Sequence, residues 1–278
     1  MEPDDRRLRR HGRNRRPLHR AEGGKRAAEI GYTLAAEFHG KGFASEAVDA
    51  LLRWLFESLE VTRVGAELHP ENLRSAQLLE RSGFLFEGET RDSFWVGDEL
   101  SNNWFYGLTR ADWDEWQARP TKPPANVELV EITPSNQRVV RGLAVHHSQK
   151  RLVDSVEASM ADTVLPYVVE GAPWVPWMRA VEADGEPAGF VMLALVTDAH
   201  PEAFLWRLLV DRRHQRRGIG RQVVEAICKD LASQGQTSLL TSWVEGEGSP
   251  RRFYEALGFV PTGKVEHGET EGWLGSLT

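Results

Sequence analysis

The chain has 278 residues, of which 41% are hydrophobic and 27% charged, and its 34 Lys and Arg against 41 Asp and Glu give a net charge of −7. At about 150 residues per domain this length predicts two domains, and the composition excludes collagenous, coiled-coil and wholly disordered chains. The longest apolar runs, such as Gly189 to Val196, fall far short of the roughly 20 residues that cross a bilayer, and no leader-like segment opens the sequence. A cytoplasmic protein without membrane contact is therefore expected. The single cysteine, Cys228, forms no internal disulfide and no Cys/His cluster has metal-ligand spacing, so no metal is expected. The acidic balance argues against general nucleic-acid affinity and leaves room for a cationic substrate.

The first 26 residues hold ten Lys and Arg against four acids and few apolar groups, so residues 1–27 are expected to form a disordered basic segment. Order begins near Glu29. Ile30, Tyr32 and Leu34 alternate as a strand, His39 to Ala44 form a glycine-containing loop, and Val48, Leu51, Leu52, Leu55 and Phe56 recur at helical spacing. Val61 to Leu68 predicts a strand, Leu73 to Arg81 a helix stopped by Gly83, and Phe84 to Glu89 and Trp104 to Leu108 further strands. Pro120, Pro123 and Pro124 mark a linker over 119–126, which separates domains at 28–118 and 127–278.

The second half repeats this order at greater length. Val127 to Ile132 predicts a strand, Asn136 to Val145 and Val156 to Leu165 helices, and Met178 to Val181 with Ala188 to Thr197 a hairpin turning at Asp184-Gly185. Phe204 to Val210 is a strand, Gln215 to Gly220 a loop, and Val223, Val224, Ile227 and Leu231 one helix face. A strand over Ser238 to Val244, a helix over Pro250 to Leu257 and a closing strand pair follow, so an internal duplication is visible.

The two loops, His39-Gly40-Lys41-Gly42-Phe43-Ala44 and Gln215-Arg216-Arg217-Gly218-Ile219-Gly220, each join an apolar strand to an amphipathic helix. Small residues there let backbone amides approach an anion such as a pyrophosphate, and the helix start adds partial positive charge. A plain tight turn is the alternative. Some thirty residues beyond each loop comes a helix that ends in Gly-Phe, at Gly83-Phe84 and Gly258-Phe259.

This order resembles the GNAT family of N-acetyltransferases, whose acyl-CoA loop reads Gln/Arg-x-x-Gly-x-Gly/Ala. Gln215, Gly218 and Gly220 match it fully, while in the first half His39 replaces the leading residue and Gly42 and Ala44 match. The first half, with Glu29-Ile30-Gly31-Tyr32 and Asn72-Leu73-Arg74-Ser75, resembles the ribosomal-protein alanine acetyltransferases. The second, with Phe204 to Asp211 and Gly246-Glu247-Gly248-Ser249-Pro250, resembles the diamine and spermidine acetyltransferases. The fold class implied is α/β, an α+β mixed sheet in two GNAT-like domains. The first domain lacks its N-terminal strands, either through truncation upstream or because a second copy lends strands, which makes a homodimer one expected assembly.

The resemblance implies acetyl-CoA as co-substrate, paired with backbone at Leu208, Leu209 and Val210, its phosphates on the amides of Arg216, Arg217, Gly218, Ile219, Gly220 and Arg221. In the first half it assigns the same role to His39, Gly40, Lys41, Gly42, Phe43 and Ala44, with Asn72 and Ser75 nearby. Tyr254, four before Gly258, matches the family tyrosine that protonates the departing thiolate, and Leu79 stands at the equivalent place in the first half. Glu170 is the candidate for relieving the amine of its proton. Trp174, Trp177, Glu245 and Glu247 are candidates for the acceptor pocket, where a diamine needs carboxylates and an aromatic wall. The expected activity is acetyl transfer to a small polyamine-like primary amine by the second domain. A protein N-terminus or an aminoglycoside is the alternative acceptor, and a non-catalytic CoA-binding regulator the alternative class.

Overall fold

The computed structural model describes residues 26–169 and 171–277. The basic segment up to residue 25 and the candidate base Glu170 lie outside the described residues. The chain forms two compact units that divide between Glu115 and Trp116. That division falls within one helix, a few residues before the proline-rich stretch read as the linker.

In the first unit, β1 (Ala27–Glu29) runs parallel to β2 (Arg63–Leu68), connected through α1 (Phe43–Arg53) and a π-type turn over Trp54–Ser58. Then come α2 (Leu73–Arg81), β3 (Leu85–Val96), β4 (Glu99–Thr109) and α3 (Arg110–Ala118). The sheet order is β1-β2-β4-β3. Val48, Leu52 and Phe56 pack from one side of the helix onto Val64, Ala66, Tyr106 and Leu108 of the sheet. The strand predicted over Ile30, Tyr32 and Leu34 instead ends at Glu29. Ile30 N donates to Gly65 O at 2.9 Å, after which the chain leaves the sheet, so Ile30 is buried while Tyr32 is exposed.

The second unit contains β5 (Val127–Val130), α4 (Gln137–Arg141), α5 (Val156–Asp162), the short pair β6 (Val168–Val169) and β7 (Ala172–Pro173), and the long hairpin β8 (Pro176–Ala183) and β9 (Glu186–Ala194). It continues through β10 (Ala203–Val210), α6 (Ile219–Ser233), β11 (Ser238–Val244), α7 (Arg251–Glu255), β12 (Val260–Glu266) and β13 (Glu269–Gly275). The seven-stranded order is β12-β13-β11-β10-β9-β8-β5. The hairpin turns where predicted, because Asp184 (φ 54°) and Gly185 (φ 81°) take the two positive-φ positions that suit the twist of the flanking strands. Burial on both faces explains the near-continuous apolar run of β9. One face packs on α6 through Val191 and Leu193, the other on α4 and α5 through Phe190 and Met192.

The duplication extends to backbone detail. The order β1-β2-β4-β3 repeats β10-β11-β13-β12, with α1 and α2 in the places of α6 and α7. Gly42 and Gly218 precede α1 and α6 at φ 87° and 83°, and Gly83 and Gly258 both follow their helices at φ 98°. Those angles are available to glycine without the penalty a Cβ brings. Among the described residues the first unit has no counterparts of β5, β8 and β9.

Between β10 and β11 the pairing is parallel and covers only Ala203–Leu205 against Leu239–Thr241. A register shift between Leu205 and Arg207 marks where β10 bends away, while β11 stays paired to β13 as far as Val244. From Trp206 onward β10 therefore keeps β9 on one side and, among the described residues, pairs with no strand on the other.

Gly189 of β9, paired with Val210 and Val181, holds this arrangement together, since a Cβ there would lie 2.5 Å from the Leu209 carbonyl oxygen. Gly189→Ala is expected to destabilise the second unit by about 1–3 kcal/mol, the usual cost of overpacking. Urea denaturation of the full chain measures it, and an unchanged midpoint contradicts the close approach.

Candidate active site

The gap left by β10 opens into a cavity of about 610 Å³ contained within the second unit. That volume suits a cofactor-sized ligand. One wall is the segment from Gln149 to Asp154, the floor is Trp206, Arg207, Leu208 and Val210 of β10, and the far side carries Gly218 to Arg221, Phe253 and Tyr254. Arg151 donates to the Glu247 carbonyl and so joins that wall to the loop before α7.

The loop Gln215 to Gly220 is braced from within. Gln215 Nε2 donates to the Val210 carbonyl at 3.1 Å and to Gln149 Oε1 at 2.8 Å, fixing the loop to the end of β10. Gly218 provides the left-handed turn into α6, and open space lies where its Cβ would be. Gly220 is a packing requirement instead, because a Cβ there would meet the Phe253 ring at 3.2 Å. Arg216, at φ 61°, is exposed at the cavity rim, and Arg221 divides its guanidinium between the Ala256 carbonyl at 3.1 Å and Glu225 at 3.5 Å.

Arg217 does not line the cavity. Its buried guanidinium donates to the Lys122 carbonyl and to His214 Nδ1, both at 2.8 Å, and sits 3.7 Å from Asp184. Only its backbone remains available to an anion. His214 is buried for the same reason, and burial is the main cause that lowers its pKa. As acceptor from Arg217 at Nδ1 it carries its proton on Nε2.

Tyr254 is buried and stacked on Trp243 at 5.7 Å between ring centres, with Phe253 and Phe259 edge-on. Thr241 lies beside its hydroxyl and acts on its pKa against the effect of burial. Thr241 Oγ1 donates to the Leu205 carbonyl at 3.0 Å. Leu205 is the last residue of β10 paired with β11, so Thr241, with the phenol beside it, marks where the strands part. Burial, with the charge of Glu269 adding to it, pushes the Tyr254 pKa up to about 12.

The aromatic candidates lie elsewhere. Trp174 stacks among Phe204, Trp206 and Tyr167, and Trp177 lies under the Arg179 guanidinium at 4.5 Å; neither lines the cavity. Trp206, buried against Trp174, is the tryptophan that does. Glu245 lies outside the cavity lining and accepts from Trp243 Nε1 at 2.9 Å, the main reason its pKa is lowered.

Lining residues that the sequence reading did not single out include Asp154, Arg207 and Glu269. Arg207 Nη2 lies 2.6 Å from Asp154 and 3.8 Å from Asp162. Burial pushes the Asp162 carboxyl up from its ordinary value while Arg207 opposes the shift. Arg207 is the lone charge in the apolar run Phe204 to Val210, and that was its available signal. Glu269 had none, because only the register of β13 against Val244 brings it to the cavity.

In the first unit His39 Nε2 bonds the Leu34 carbonyl at 2.9 Å, Phe43 packs edge-on to Phe38, and Lys41 lies over Phe38. Gly40 and Gly42 have positive φ and Ala44 packs on the core. Asn72 caps α2 by accepting from Ser75 N at 3.2 Å, and the Ser75 carbonyl accepts from Tyr32. Leu79, in the place of Tyr254, is buried and has no hydroxyl to offer.

Two family models match the sequence, an acetyltransferase (GNAT) domain over residues 14–85 and the acetyltransferase (GNAT) family over residues 136–259. Relatives include the uncharacterized N-acetyltransferase p20 of Bacillus licheniformis, 40% identical over 31% of this chain and 48% of its own. The ribosomal protein uS5-alanine N-acetyltransferase of Escherichia coli is 32% identical over 31% of this chain and 45% of its own. Among solved structures, Mycobacterium smegmatis RimJ in complex with CoA-disulfide is 28% identical, covering 33% of this chain and 44% of that one with a TM-score of 0.32. The chain spans about half the length of the curated relatives it matches. With matched regions in both units that together exceed half of its length, the chain belongs to the GNAT acetyltransferase family and carries two of its domains in tandem.

Proposed function

We propose that the second unit is an acetyl-CoA-dependent N-acetyltransferase acting on a primary amine. The observation that carries this reading is Tyr254 at the point where β10 leaves β11, beside a cavity that ends at the glycine-bounded start of α6. An extended, amide-bearing chain would pair with the free edge of β10 at Leu208, Leu209 and Val210. Phosphates would receive the amides of Arg216 to Arg221 and the charges of Lys150, Arg216 and Arg221, as helix starts commonly bind them. Acetyl-CoA would supply the activated acyl group.

The roles of the residues follow from their positions. A backbone N–H at Leu209 or Val210 would stabilise negative charge developing on the thioester oxygen. Tyr254, neutral because its pKa lies near 12, would give a proton to the departing sulfur. Trp206, in the cavity lining, would offer an aromatic wall to a small polyamine-like acceptor, the role first assigned to Trp174 and Trp177. The second reading, a protein N-terminal amine, is favoured by the uS5-alanine relative. In the first unit, loop His39 to Ala44 with Asn72 and Ser75 would bind a CoA without a tyrosine acid.

Two outcomes are expected. Gly218→Glu, which puts a negative charge into open space at the anion site and strains a φ of +83°, should abolish acetyl-CoA binding measured by calorimetry, and unchanged binding contradicts the loop's role. Tyr254→Phe should keep acetyl-CoA affinity and lower kcat for thiol release on the order of a hundredfold. Since the Tyr254 proton is lost only near pH 12, that loss should be uniform from about pH 6 to 9. A loss below about threefold removes Tyr254 from the chemistry.

A further inference from the structure

We propose that Glu269, held by Ser242, binds the acceptor ammonium and receives its proton. This rests on the transferase reading and names the base that reading still needs. Glu269 opens β13 half-buried in the cavity wall, and its Oε2 accepts a hydrogen bond from Ser242 Oγ on the adjacent β11. Its backbone is fixed by pairing with Val244, so the carboxylate projects from sheet and not from a free loop. Its charge also reaches the Tyr254 hydroxyl, which ties it to the point where β10 and β11 part.

The charges around it point the same way. Lys150, Arg151, Arg207, Arg216 and Arg221 line the cavity, with His214 and Tyr254 as further titratable groups, and among the described residues its carboxylates are Asp154 and Glu269. Arg207 holds Asp154 at 2.6 Å, whereas among the described residues no cation pairs with Glu269. An ammonium entering this cavity finds one carboxylate free of a competing cation. A carboxylate is a weak base in water, so its use lies in position: it accepts the proton as the nitrogen comes within bonding distance of the acyl carbon.

The protons balance. The ammonium N–H bond breaks toward Glu269, which later releases that proton to solvent. The freed lone pair forms the N–C bond, the C–S electrons leave with sulfur, and Tyr254 protonates the sulfur. The second proton shed by nitrogen restores the Tyr254 hydroxyl. One proton therefore reaches solvent for each amide formed.

The test uses the full chain with acetyl-CoA and, as acceptors, spermidine, putrescine and an alanine-initiated peptide. Thiol release is followed from about pH 6 to 10, and acetyl-CoA affinity is measured alongside. Glu269→Gln is expected to lower kcat/KM near pH 7 on the order of a hundredfold, with acetyl-CoA affinity kept. The deficit should close toward pH 10, where solvent deprotonates the amine. Glu269→Asp should recover part of the loss, and Ser242→Ala, which leaves the carboxylate but removes its support, should show a smaller loss with the same pH trend. A deficit under about threefold near pH 7, or one equal at both ends of the range, overturns the role of Glu269 and leaves the transferase reading standing. A parent chain that releases no thiol with any of the three acceptors overturns both.

Discussion

The parting of β10 from β11 after Leu205 is the constraint on which the second unit depends. Parallel strands need a crossover, here α6, and the paired stretch is limited to three residues on each strand. Backbone groups on the open edge of β10 have no strand to satisfy them, and a buried polar backbone group without a partner is costly. The protein places a cavity there, where a ligand or water can complete the pairing. Thr241 closes the apex by donating to the Leu205 carbonyl, and the Tyr254 phenol lies beside it. The feature that opens the sheet thus also sets the position of the one buried phenol beside it.

Around that opening, residues divide into those that face it and those that hold it in shape. Gln215 ties the loop to Val210 and Gln149, and Arg217 locks the turn by donating to Lys122 and His214. Phe253 packs close on Gly220 at the start of α6, leaving little room for a Cβ there. The first unit has the same crossover, the same glycine angles and the same sheet order, yet Leu79 replaces the phenol. The fold of the loop and the phenol beside it are therefore separable, and in the first unit the loop occurs with a leucine at the phenol's place.

What the sequence revealed follows from what is local. Two glycines at fixed spacing before an amphipathic helix, and a Gly-Phe step after a second one, specify backbone angles that depend on few neighbours, and both loops and both helix ends were found from them. Tyr254 was singled out because, four residues before Gly258, it matches the position of the family tyrosine, and the structure puts it in the cavity lining. Side chains whose surroundings come from strand register were not. Arg217 belongs to the loop read as the phosphate site, but Lys122 and His214 turn its side chain inward; Trp174 looked like a pocket wall, but Phe204, Tyr167 and Trp206 gather it into a cluster. Glu269 reaches the cavity only through the alignment of β13 with β11, which no short stretch of sequence encodes.

The central claim is that acetyl-CoA lies along the free edge of β10 with its phosphates at the start of α6. Amide hydrogen exchange of the full chain, with and without saturating acetyl-CoA, tests it most directly. The account predicts slowed exchange at Leu208 to Val210 and at Gly218 to Arg221, with no comparable change in the outer strands β5 and β8. Binding that leaves those amides unchanged, or that protects only Gly40 to Ala44 of the first unit, would contradict it.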